Sequence, residues 1–235
     1  DELQYHLDVD IVLWFLAQEN VFMDDDSYIY KGGMDYYVYW HEETNRIIPL
    51  EVDGNTVMHN NFFDWDIFMN EDNPNYPLMN RLLKNNTIRQ RYLAHVRTVL
   101  EQHFVPSQMF DRIDAFADIL DQRIQDDPKK IYTYTRYLSG IEELKNFISE
   151  RHDFLSSDIE IDRDRLGIQN MSFSSSNGIM EQPTFGERVE VSVEIKDPYS
   201  LGVKRVRLHY GEGFEGVYEY SDMTDADGDG ISGVP

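Results

Sequence analysis

The 235 residues include 41% hydrophobic side chains, with 15 Tyr, 13 Phe and 3 Trp, enough apolar material for one large domain or a domain plus a small module. A net charge of −23, from 44 acidic against 21 basic residues, repels a phosphate backbone and excludes a nucleic-acid binder; the absence of cysteine excludes disulfides, thiolate–zinc sites and cysteine nucleophiles. No apolar run of about 18 residues is present to span a membrane, and the start at Asp1-Glu2-Leu3 without methionine reads as a mature or excised fragment.

In chain order, Asp10 is suited to cap a helix running to Asn20, apolar on most sides and therefore buried at a domain centre. Asp24, Asp25 and Asp26 follow its end. Met34 to Trp40 is rich in strand-forming residues, and Arg46 to Leu50 reads as its partner across the polar turn His41 to Asn45. This hairpin is expected to place Asp35 and Glu51 near opposite outer ends of the ribbon. Residues 52–75 form a long irregular loop held down by Phe62, Phe63, Trp65 and Phe68. A helix begins after Pro77 and is expected to run to Pro106, with Leu82, Ile88, Tyr92, Val96 and Val99 at helical spacing; its Arg89, Arg91, His95 and Arg97 read as an ordinary solvated face. A second helix fits Ser107 to Gln125, and shorter ones fit Tyr132 to Leu138 and Gly140 to Leu155, together a short-linked bundle. After about Gly167 the composition changes. Asn170 to Asn177 reads as serine-rich turn, and the stretches 189–195, 203–210 and 216–220 read as strands of a second, sheet-forming module over residues 168–235.

Two acidic groupings carry candidate chemistry. Glu51-Val-Asp53 puts two carboxylates on one face of an extended strand, and with Asp26 across the hairpin three of them would suit a hard cation. The bland reading is an acidic hairpin exposed to water. Asp225-Ala-Asp227-Gly-Asp229-Gly230 matches the first half of a calcium loop, with oxygen ligands at alternate positions and a glycine for the turn; a flexible acidic tail is the alternative. No His-Glu-X-X-His, Gly-X-Ser-X-Gly or phosphate-loop motif is present.

Leu7-Asp-Val-Asp10, the Asp24-Asp-Asp26-Ser-Tyr28 corner, Met34-Asp-Tyr-Tyr-Val-Tyr39 and Ile48-Pro-Leu-Glu-Val-Asp53 form an ordered series that resembles the C-terminal lobe of the spore-coat CotH kinases. Pro77 to Leu83, Arg89 to Leu93 and Ile141 to Arg151 are similar to its helical continuation. The resemblance implies an α+β fold: an atypical protein-kinase-like C-terminal helical lobe with a β-hairpin over residues 1–167, then a small β-sandwich-like, immunoglobulin-like segment. It also implies an exported bacterial protein, secreted or at the cell surface, that transfers phosphoryl from ATP to protein Ser/Thr with Mg²⁺ or Mn²⁺. By position Asp26 takes the catalytic-base role, Asp35 lies in the cofactor-binding place, and Glu51 and Asp53 replace the metal-binding pair; Asp225, Asp227 and Asp229 are the Ca²⁺ candidates. Asp24 and Asp35 stand where the family has asparagine, Leu50 where it has tryptophan and Glu51 where it has aspartate. The alternative expectation is a noncatalytic surface scaffold that binds a protein partner.

Overall fold

The computed structural model describes residues 2–31, 36–58, 63–163, 165–181, 183–184, 186–211 and 219–225. The chain divides into two compact units, Asp1–Asp162 and Arg163–Pro235. It is an α+β molecule, with helices in the first unit and small antiparallel sheets in both.

The centre of the first unit is α1 (Val9–Phe22), whose buried residues Val12, Leu13, Leu16, Ala17 and Val21 lie on several sides of the helix, as its apolar sequence predicts. The cap is Asp8 rather than Asp10: its Oδ1 accepts the Ile11 amide at 3.1 Å. The reason is tertiary. Residues 6–8 run beside β2 (Arg46–Glu51), the Ile47 amide donating to the His6 carbonyl at 2.8 Å and the Asp8 amide to the Ile47 carbonyl at 3.1 Å. Asp8 is thereby brought 3.0 Å from the buried Arg46 guanidinium. Asp10 lies in the first helical turn, where its Oδ1 bonds Arg91 at 2.6 Å and His95 at 3.0 Å, tying α1 to α4 (Asn86–Thr98).

Strand β1 (Tyr36–His41) pairs antiparallel with β2, His41 opposite Arg46, so the connecting loop is Glu42 to Asn45. Glu51 stands opposite Tyr36 at the open end of this ribbon; Asp35 lies outside the described residues. Neither alternate set of β1 side chains is fully buried. Tyr37, Val38, Tyr39 and Trp40 are all exposed, whereas Tyr36 packs against Phe15 and Tyr28.

The irregular stretch after β2 is pinned by specific contacts. Trp65 stacks on Tyr30 with ring centroids 4.9 Å apart, and the Asn70 amide donates to the Ile29 carbonyl at 2.7 Å. Arg151, fully buried on α6 (Tyr134–Ser156), donates to the Phe63 and Trp65 carbonyls and to the backbone and side-chain oxygens of Asn20. Carbonyl oxygens bond this cation directly and the Asp64 and Asp66 charges favour it, while burial lowers its pKa to about 9.

The expected long helix after Pro77 is two helices, α3 (Pro77–Leu82) and α4, because Asn85 caps α4 by accepting the Thr87 and Ile88 amides. A π-helical turn over Val99–His103 follows. Pro106 starts α5 (Pro106–Asp126) at its first position, where a missing amide costs nothing. The two short helices expected after Pro128 are one continuous α6, which runs through Gly140.

In the second unit, β3 (Gly167–Ser175) is flanked by β4 (Gly178–Ile179) and β5 (Glu190–Lys196). Separately, β6 (Arg207–Tyr210) pairs with β7 (Glu219–Asp222). The serine-rich stretch expected to be turn is mostly strand, since cross-strand partners outweigh composition: Ser172 bonds Ser192 through their hydroxyls at 2.8 Å, and Phe173 stands opposite Val191.

Candidate functional site

The last turn of α1 leads into an acidic corner. Met23 adopts a left-handed conformation at φ 50° and its amide closes back onto the Asn20 and Glu19 carbonyls, which turns the chain sharply toward α2 (Tyr28–Lys31). Glu19, on the buried side of α1, is only 2% exposed, and its carboxyl oxygens accept the Tyr28 and Ile29 amides at 3.4 and 3.2 Å. These are donors that the start of α2 leaves without helical acceptors. Burial pushes the Glu19 carboxyl up to about 9, with the charges of Glu51 and Asp24 adding to it and the two amides opposing.

Asp24 is buried beside it. Its Oδ1 accepts the Asp26 amide at 3.0 Å and the Thr56 hydroxyl at 2.8 Å, and its backbone forms a bridge to Val57, which holds the segment after β2 against the corner. Glu51, the last residue of β2, keeps access to solvent but is crowded by the fold. Partial desolvation pushes its carboxyl up to about 7, and the Asp24 charge contributes. Glu19, Asp24 and Glu51 therefore share one electrostatic neighbourhood at the open end of the hairpin.

The residues expected from sequence are only partly gathered there. Asp26 lies in the corner, half-buried, with its side chain ion-paired to Lys31 at the end of α2. Asp53 does not extend the strand with Glu51, because β2 ends at Glu51 and Asp53 instead accepts the Asn55 amide at 3.1 Å in a local turn, exposed to water. The same-face argument for Glu51 and Asp53 therefore fails, since alternation holds only while the strand continues. Asp35, Asp227 and Asp229 lie outside the described residues, and Asp225 is the last residue described before the acidic tail.

Sequence reasoning missed Glu19. The available signal was an ionisable side chain within an otherwise apolar helix, a position that demands either a partner or a proton. Among the described residues, no three carboxylate or imidazole side chains converge closely enough to hold a metal ion by themselves. Asp24 and Glu51 are hard oxygen donors, the class of ligand Mg²⁺ takes when water and phosphate complete its shell. The basic residues of α4 form no anion-binding face: Arg89 pairs with Glu71, Arg91 with Asp10, and Arg97 donates to the carbonyls of Glu160 and Ile161.

A central apolar helix that delivers a carboxylate corner to the open end of a β-hairpin, backed by further helices, is the lobe that the ordered residue series implies. The chain belongs to the CotH kinase family: the family model described as CotH kinase protein matches residues 1–155. No curated protein matches the chain.

Proposed function

We propose that this chain is the helical lobe of an exported bacterial CotH-like kinase that passes phosphoryl from ATP to Ser or Thr of a protein. The observation that carries the reading is the acidic corner formed by Asp24 and Asp26 after α1, with Glu51 at the open end of the hairpin within reach of the Asp24 charge. Desolvation and the Asp24 charge both raise the Glu51 carboxyl, a cost that a divalent ion bound there would offset. Glu51 and Asp24 would hold Mg²⁺ or Mn²⁺, with Asp53 as the further donor and Asp35 in the cofactor-binding place that the family implies. The metal, when bound, neutralises charge on the transferred phosphoryl group. Asp26, in the catalytic-base position, would orient the acceptor hydroxyl and take its proton after leaving Lys31. The acidic tail from Asp225 through Asp227 to Asp229 is proposed as a Ca²⁺ loop.

The second reading, a noncatalytic surface scaffold, is favoured by the present engagements of Asp26 with Lys31 and of Asp53 with its own turn. Calorimetric titration of the full chain with Mg²⁺, Mn²⁺ and Ca²⁺, each with and without ATP, separates the two. The kinase reading expects nucleotide-linked Mg²⁺ or Mn²⁺ binding that weakens by about tenfold or more in Glu51→Gln, the scale of one lost charged contact. Binding that is absent, or indifferent to Glu51→Gln and Asp53→Asn alike, leaves the scaffold.

A further inference from the structure

Near the start of helix α5, Met109, Phe110 and Ile113 pack against the core of the first unit, and the helix runs alongside α6. Farther along the helix, Phe116 and Ile119 are 60% and 62% exposed. Two large apolar side chains, one helical turn apart on the outside of a long helix, form a strip rather than scattered exposure.

The charges along this strip have a pattern of their own. Arg112 lies seven residues before Ile119 and Asp126 seven residues after it. Seven residues are two turns to within about 20°, so all three side chains share one side of the helix. Arg112 is exposed and enters no ion pair among the described residues. Asp126 is exposed, and its Oδ2 accepts a bond from Gln122 at 2.9 Å. The strip thus carries a cation at one end, an anion at the other, and an apolar residue midway.

We propose that this strip is the contact of a homodimer in which α5 packs antiparallel on α5 of a second copy, with the two-fold axis at Ile119. A surface whose charges are opposite and equidistant from an apolar centre is complementary to itself under a two-fold rotation, the defining property of an isologous interface. Rotation about Ile119 places Arg112 of each copy against Asp126 of the other and brings the two Ile119 side chains together. It also lays each Phe116 beside Gln122 and Arg123 of the other copy, where the guanidinium can cover the ring. A different acidic or basic helix would satisfy only one end of the strip. The contact is narrow and each copy carries a net charge of −23, so association is weak and transient rather than obligate.

The chain has no cysteine, so Ile119→Cys introduces its only thiol. Under mild oxidation this variant is expected to form a covalent dimer at least about tenfold faster than Asp118→Cys, which carries its thiol roughly 100° around the same helix. In sedimentation equilibrium of the full chain, Arg112→Asp and Asp126→Arg are each expected to weaken the dimer by about tenfold. Their combination is expected to restore it, since the swapped charges again meet across the axis. Circular dichroism confirms that each variant is folded. A chain that stays monomeric at high concentration, equal cross-linking at the two thiols, or a double variant no tighter than the single ones overturns the proposal.

Discussion

The Glu19 carboxyl, enclosed at the end of α1 and accepting the amides that open α2, keeps its proton up to about pH 9 in the folded chain, against an ordinary value of 4.5. Because the folded state binds this proton more tightly than the unfolded state, stability from Glu19 is full below about pH 4.5 and declines as pH rises toward 9. Urea unfolding across that range is expected to show a fall in stability with pH that is flatter in Glu19→Gln; an unchanged slope would place the proton elsewhere. The Asp10 carboxyl behaves in the opposite sense. The hydrogen bond from His95 and the bond and charge of Arg91 lower it to about 2 against burial, so its contribution is present above about pH 3.8 and is lost as pH falls through 2. Asp26, Glu51 and Asp53 were legible as candidates because ordered spacing survives in sequence. Glu19 was not, because the burial that decides its chemistry comes from residues distant along the chain. The choice between Asp8 and Asp10 as cap was likewise settled by the backbone bonds of residues 6–8 to Ile47, which leave no local signature.

Among the elements, α6 carries a position where the sequence reading and the fold conflict. Gly140 reads as a break between two helices, yet α6 passes through it, stabilised at its start by Thr133, whose hydroxyl accepts the Arg136 amide at 3.1 Å. A Cβ at Gly140 would meet nothing within 4 Å, and its φ is not in the left-handed region. Gly140→Ala is therefore expected to stabilise the chain by about 0.5–1 kcal/mol through reduced backbone entropy of the unfolded state, read as a higher urea midpoint with an unchanged slope. A lower midpoint would mean that the glycine serves close approach or bending. The turn and second strand of the hairpin were legible to within a residue because the strands are marked by composition and the turn by polar residues. The break between α3 and α4 was hidden, since Leu82, Leu83 and Ile88 keep a helical rhythm across it and only the Asn85 cap reveals it. Similarly, β3 was obscured by serines that are poor strand signals alone but pair well once β5 lies alongside.

For the molecule as a whole, the two units differ in how they are held. The core runs from Val9 to Ile161, entirely within the first unit, whereas no described residue of the second unit is buried. Small sheets without an enclosed face are marginal by themselves. Hydrogen exchange is expected to be orders of magnitude faster in β3 and β5 than in α1, while comparable protection would show that their exposed side chains are covered in solution. The composition changes near Gly167, while the two compact units meet at Asp162; that the described strands of the second unit bury no side chain was not legible, because alternating strands look the same whether or not anything covers them. One consequence of the aromatic arrangement is optical. Trp14 lies face to face with His95, centroids 4.1 Å apart, Trp65 is stacked on Tyr30, and Trp40 is 46% exposed on β1. Indole emission moves to longer wavelength in water, so the red edge of the spectrum belongs to Trp40. Any ligand that dries the hairpin shifts that colour toward the blue without a dye attached.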